Sequence, residues 1–163
     1  MKFISESKIA CWGNWYFKTV GVLLFFAGAI KVMFLSGDYT RYLHSPDPLF
    51  REFSELFVIL AVVALEVAVA TSLFLVRSIS GRALLTLWLS SLSVAYRVGI
   101  WYYYPTRIGC CCVGFFWKGI SLSEQTVDRI TFSILMFMIA GSFLVLILNY
   151  LSRKSNVEKI QTK

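Results

Sequence analysis

Four uninterrupted apolar runs, roughly residues 15–35, 56–76, 83–103 and 130–151, decide most of what this chain can become. At about 1.5 Å of rise per helical residue, each is long enough to cross a hydrocarbon core about 30 Å thick. Within lipid every backbone N–H and C=O must be satisfied by a helix or a closed barrel, and long runs without alternation do not fit barrel strands. The sequence therefore predicts an all-α polytopic membrane protein, a four-transmembrane-helix bundle forming a single membrane domain over residues 1–163. Composition agrees: 58% of residues are hydrophobic and the mean hydropathy is +0.70, which excludes a soluble domain of ordinary composition. The first run carries Lys18 and Lys31 and lacks a small-residue cleavage pattern, so it is expected to stay attached rather than act as a cleaved signal.

A net charge of +7 would point to nucleic acid in a soluble protein. Here the basic residues collect at the edges of the apolar runs, where they read as orientation signals, and no nucleic-acid partner is expected. Lys2, Lys8, Lys18, Arg77, Arg82, Arg153, Lys154, Lys159 and Lys163 fall on one side; Arg41, Arg51, Arg107 and Lys118 fall on the other. The excess predicts cytoplasmic termini, and the membrane expected is a bacterial inner membrane or its equivalent. The loops at 36–55 and 104–129 then face outward, toward a periplasm or its equivalent.

In the first outer loop, Leu49, Phe50, Phe53, Leu56 and Phe57 fall on one helical face and Arg51, Glu52, Ser54 and Glu55 on the other. Following Pro46-Asp47-Pro48, this pattern predicts a surface-lying helical lead-in to the second span. His44 is the single histidine, with no second ligand beside it, so no metal site is expected. Gly21 and Gly28, and Ser90, Ser91 and Ser93, would let helices approach closely, within the chain or between chains.

Reactive side chains gather at one place, Gly109-Cys110-Cys111-Cys112-Val113-Gly114, just past the third run. Facing an oxidising compartment, adjacent thiols form or exchange a disulfide; facing the cytoplasm, a juxtamembrane cluster of this kind is a lipidation site; an inert structural cluster is the third reading. The outward orientation favours exchange, with Cys110 and Cys112 as the redox pair and Cys111 as a resolving or alternative thiol. Arg107 and Lys118 are cations that would favour the thiolate, and Gly109 and Gly114 would let the backbone turn tightly. Cys11 is expected before the first span, on the opposite side, as a free thiol. Lys31, Glu66 and Arg97 fall inside the spans, where an unpaired charge is costly. They read either as an ion pair or triad that fixes packing, or as groups that polarise a bound quinone or tune the thiols.

The run from Gly28 with Lys31, then Asp47-Pro48 followed by Phe53, then Leu65-Glu66, resembles the MauE family within the wider DoxX-like group. Cys110-x-Cys112-x-Gly114 resembles that family's Cys-x-Cys-Phe-Gly element, with Val113 in place of Phe and Cys111 added. The resemblance covers roughly residues 20–150. It implies a four-helix redox-associated membrane protein, of the kind needed to mature the disulfide-rich small subunit of methylamine dehydrogenase. The architecture is also similar to membrane thiol oxidases of the DsbB and vitamin K epoxide reductase type, which use two cysteine pairs beside a quinone. This chain has one outer cluster, so a complete relay needs Cys110, Cys111 and Cys112 in both roles or a partner that supplies the rest. The expected function is exchange of electrons or disulfides with periplasmic thiols, with Cys110, Cys111 and Cys112 catalytic, a thioredoxin-like periplasmic protein as partner and a quinone as candidate acceptor. The rival is a non-catalytic integral subunit or scaffold of a larger membrane complex, docked through aromatics such as Trp101-Tyr102-Tyr103-Tyr104 and Phe115-Phe116-Trp117.

Overall fold

The computed structural model describes residues 6–35, 46–103 and 124–161. They form four helices: α1 (Glu6–Leu35), α2 (Glu55–Leu75), α3 (Ile79–Tyr103) and α4 (Glu124–Gln161). Among the described residues there is no strand, only an isolated bridge between Pro46 and Ser54. Each helix contains a segment long and apolar enough to cross a membrane: Cys11–Met33, Glu55–Leu75, Ile79–Tyr103 and Arg129–Ser152. The chain is thus an all-α integral membrane protein built on four spanning helices.

The helices outrun the apolar segments at the termini, because hydropathy marks the part in hydrocarbon whereas a helix satisfies its own backbone wherever it lies. The start of α1 at Glu6 places Cys11 inside the helix, exposed and unpaired in any disulfide, rather than before it as the sequence suggested.

The expected helical lead-in to α2 is absent. Residues 46–54 instead fold around Asp47, whose N–H donates to the Phe53 carbonyl at 2.9 Å and whose Oδ1 accepts from the Leu49 and Phe50 N–H groups, each at 2.9 Å. Those two side-chain bonds are of the kind that cap a helix start, but the Phe53 N–H donates to the Phe50 carbonyl at 2.8 Å and the Phe53 carbonyl goes back to the Asp47 N–H, so the segment closes into a turn where the apolar periodicity would continue a helix. The apolar residues still find partners. Leu49 lies against Gly99 of α3, and Phe50 stacks on Tyr96 with ring centroids 6.3 Å apart. The first helical turn of α2 then begins behind Ser54, whose hydroxyl accepts from the Phe57 N–H at 3.3 Å.

Glycines set the closest helix approaches. Gly21 of α1 faces Phe74 and Ala70 of α2, while Gly28 faces Val67 and Val63. The rising numbers on one helix against falling numbers on the other make α1 and α2 antiparallel, and place the expected small-residue contact within the chain. Between α1 and α4, the Tyr16 hydroxyl donates to the Met138 carbonyl at 2.8 Å. Its ring occupies the space a side chain at Gly141 would fill, since a Cβ there would lie 2.5 Å from ring carbons. Phe17, Val20, Leu73, Ala83 and Val145 make the centre of the core.

At one end of the bundle, Arg82 donates to Asn14 at 2.7 Å and Asn149 donates to Ser80 at 2.8 Å. At the other end lies the Asp47 turn, packed on α3 through Gly99 and Tyr96. That second end is also where α3 finishes, at Tyr103, and where α4 starts, at Glu124.

Candidate functional site: a buried ion pair between α1 and α2

The buried face of α1 runs through Phe17, Val20, Leu24, Gly28 and Lys31, and that of α2 through Ile59, Val63, Glu66, Ala70 and Leu73. Both follow the three-to-four residue spacing of one helical face, so Lys31 and Glu66 continue apolar stripes that already face each other. The result is a salt bridge from Lys31 Nζ to Glu66 Oε1. Lys31 is 7% exposed and Glu66 8%, and both lie within spanning segments. Charges in such a position persist when they are paired, and removal of either would strand the other.

The carboxylate is only half satisfied. Among the described residues, Glu66 Oε2 has no hydrogen-bond donor. Gly28 stands beside it: a methyl built there would lie 3.9 Å from Oε2, 3.5 Å from Val67 and 4.0 Å from Val63. The site therefore presents one committed oxygen, one buried acceptor without a donor among the described residues, and an ammonium group with three N–H donors.

Of the three intramembrane charges expected from sequence, Lys31 and Glu66 are brought together, and Arg97 is half-buried on α3. Cys110, Cys111 and Cys112 lie outside the described residues, as do Gly109, Gly114, Arg107, Lys118 and His44.

Asp47 is a second buried carboxylate that the sequence reading left without a role. It is 1% exposed, and its Oδ2 accepts from the Tyr96 hydroxyl at 2.7 Å. With two backbone donors on Oδ1, it fastens the turn to α3. Its signal was available in Pro46-Asp47-Pro48, since a proline after aspartate disfavours helix at the aspartate and leaves its carboxylate to the backbone N–H groups beyond. Among the described residues no group of three or more His, Cys, Asp or Glu side chains is arranged to hold a metal ion.

No family model matches this chain, and no curated protein or solved structure is significantly similar to it.

Proposed function

We propose that this protein exchanges electrons or disulfides between thiols outside the membrane and an acceptor in it, as the resemblance to the MauE family implies. Cys110 and Cys112 form the exchanging pair and Cys111 is the alternative thiol. Two thiols give up two electrons and two protons to become a disulfide; a quinone that takes up both becomes a quinol, so the step balances. The proposal places the protein in a bacterial inner membrane with both termini cytoplasmic, consistent with Arg77, Arg82 and Lys154 all lying toward the end opposite the Asp47 turn. What supports the reading is the position of the ion pair relative to the helix ends that flank the cysteine segment. Tyr103, where α3 ends, and Glu124, where α4 starts, lie toward the end of the bundle at which Lys31 sits one turn from the close of α1, with its ammonium on a carboxylate whose second oxygen is buried and unpaired.

Trapping of the exchange intermediate tests this. Thiol–disulfide exchange passes through a mixed disulfide, so Cys111→Ser combined with Cys112→Ser leaves Cys110 unable to resolve and captures a thioredoxin-like partner as a covalent adduct. A double variant that accumulates normally and captures nothing contradicts the proposal.

A specific feature favours the subunit reading as the alternative. A groove of about 400 Å³ runs along α4, lined by Thr126, Arg129, Ile130, Ser133, Ile134 and Phe137, on the spanning helix least covered by its neighbours. Under that reading the cysteine variants leave the phenotype unchanged, and substitutions on this face disrupt assembly with another integral subunit.

A further inference from the structure

The groove along α4 grades from polar to apolar down one helical face. Thr126, Arg129, Ile130, Ser133, Ile134 and Phe137 line it, at the three-to-four residue spacing that keeps side chains in line. Arg129 opens the spanning segment Arg129–Ser152, so its guanidinium falls at the level where headgroups meet hydrocarbon. It is exposed and forms no ion pair among the described residues. Below it the groove is apolar, with Ile130 and Phe137 both exposed. Ser133 does not interrupt that floor, because its hydroxyl donates back to the Arg129 carbonyl at 2.8 Å.

These features select an occupant. A cation at the head of the groove calls for an anion at that depth, and an apolar floor calls for a chain. From Arg129 to Phe137 the floor runs about 12 Å at about 1.5 Å per helical residue, most of the roughly 15 Å that half a hydrocarbon core spans. A phospholipid carries a phosphate and an acyl chain already joined in this order. A helix of another subunit would have to bring an acidic group to the same depth, where a charge without its partner is costly. A water-soluble anion would leave the floor uncovered.

We propose that this groove binds a phospholipid, with the phosphate on the Arg129 guanidinium and one acyl chain along Ile130, Ile134 and Phe137. The site is independent of the thiol chemistry and goes beyond it. It lies at the end of the bundle where α4 starts, so the lipid belongs to the outer leaflet in the orientation proposed above. A groove filled by lipid is not a docking face for another subunit, and the two occupants exclude each other.

The test uses the full chain purified in mild detergent, with lipid binding titrated by native mass spectrometry. The probes are dioleoyl phosphatidylglycerol and dioleoylglycerol, which has the same chains and no phosphate. Wild type should bind the phospholipid at least about tenfold more tightly, a separation that one charge-assisted contact can supply. Arg129→Gln should remove the difference, while Lys18→Gln, at an exposed cation on α1, should leave it intact. Ser133→Phe fills the groove from an exposed position and should weaken phospholipid binding by a similar factor with Arg129 still present. Glycerol phosphate, a headgroup without chains, should not displace the lipid. Equal binding of the two probes to wild type, equal losses in Arg129→Gln and Lys18→Gln, binding unchanged by Ser133→Phe, or displacement by glycerol phosphate would each overturn the site. An integral protein that copurifies with wild type and is lost in Ser133→Phe, with no lipid retained by either, would give the groove to a subunit instead.

Discussion

Replacement of Lys31 and Glu66 by methionine, singly and together, measures how the buried pair is held. The two side chains are 8% and 11% exposed, so a single substitution leaves its partner's charge in hydrocarbon with almost no water. Breaking a buried pair in this way costs about 3–5 kcal/mol, and an isolated charge near the middle of a span, the position of Glu66, costs about 2.5–3.5 kcal/mol. Methionine has nearly the length of either side chain and no charge, so Lys31→Met with Glu66→Met should be close to wild type in stability. The coupling energy expected is then the sum of the two single costs, about 5 kcal/mol or more, well above the ~0.6 kcal/mol typical of an interhelical hydrogen bond in a membrane protein. Unfolding in mixed micelles by titrated SDS, followed by helical circular dichroism, gives the four free energies of the cycle. A double variant as unstable as the sum of its singles would refute the argument that charge pairing, rather than each side chain separately, stabilises this contact.

Further outcomes follow from the packing and from the turn. Gly141→Ala forces a Cβ to within 2.5 Å of the Tyr16 ring and should destabilise the bundle by about 1–3 kcal/mol, with Tyr16→Leu restoring part of the loss in the same SDS assay. Asp47→Ala removes three hydrogen bonds at once; it should lower stability by about 1.5–3 kcal/mol and raise amide hydrogen exchange at Leu49 and Phe50, while Tyr96→Phe leaves those two amides protected. Membrane-impermeant maleimide applied to reduced spheroplasts should label the segment holding Cys110, Cys111 and Cys112 and spare Cys11; labelling of Cys11 alone would reverse the orientation.

The spans were legible because the bilayer imposes a direct physical requirement: about twenty apolar residues with a self-satisfied backbone. Their ends were less so, since α1 and α4 continue as polar helix at the termini, where hydropathy carries no information. Lys31 and Glu66 announced themselves as charges too costly to leave alone, but three such residues allow several pairings. What selects Lys31 with Glu66 is the alignment of two buried stripes, and that depends on the helix pairing. Residues 46–54 were misread for a different reason. Their apolar spacing fits a helix, yet the spacing only reflects contacts made separately to Gly99, Tyr96 and Phe57, while the Phe53 carbonyl and N–H are committed to Asp47 and Phe50 in a closed turn. For the cysteine cluster the proposed exchange rests on residue type and on the proposed outward orientation, whereas reactivity depends on the potential of the pair and on its partner, neither of which is written in a run of three thiols.

The central claim is that Cys110 and Cys112 exchange electrons, and the redox state of that segment in living membranes tests it most directly. Cells are quenched in acid, free thiols are alkylated, disulfides are reduced and alkylated with a second mass label, and the peptide carrying Cys110, Cys111 and Cys112 is quantified by mass spectrometry. An exchanging pair poised near the ambient potential appears as a mixture of reduced and oxidised forms, and the reduced fraction should rise when quinone is depleted. A segment that stays fully reduced or fully oxidised in both conditions contradicts the account.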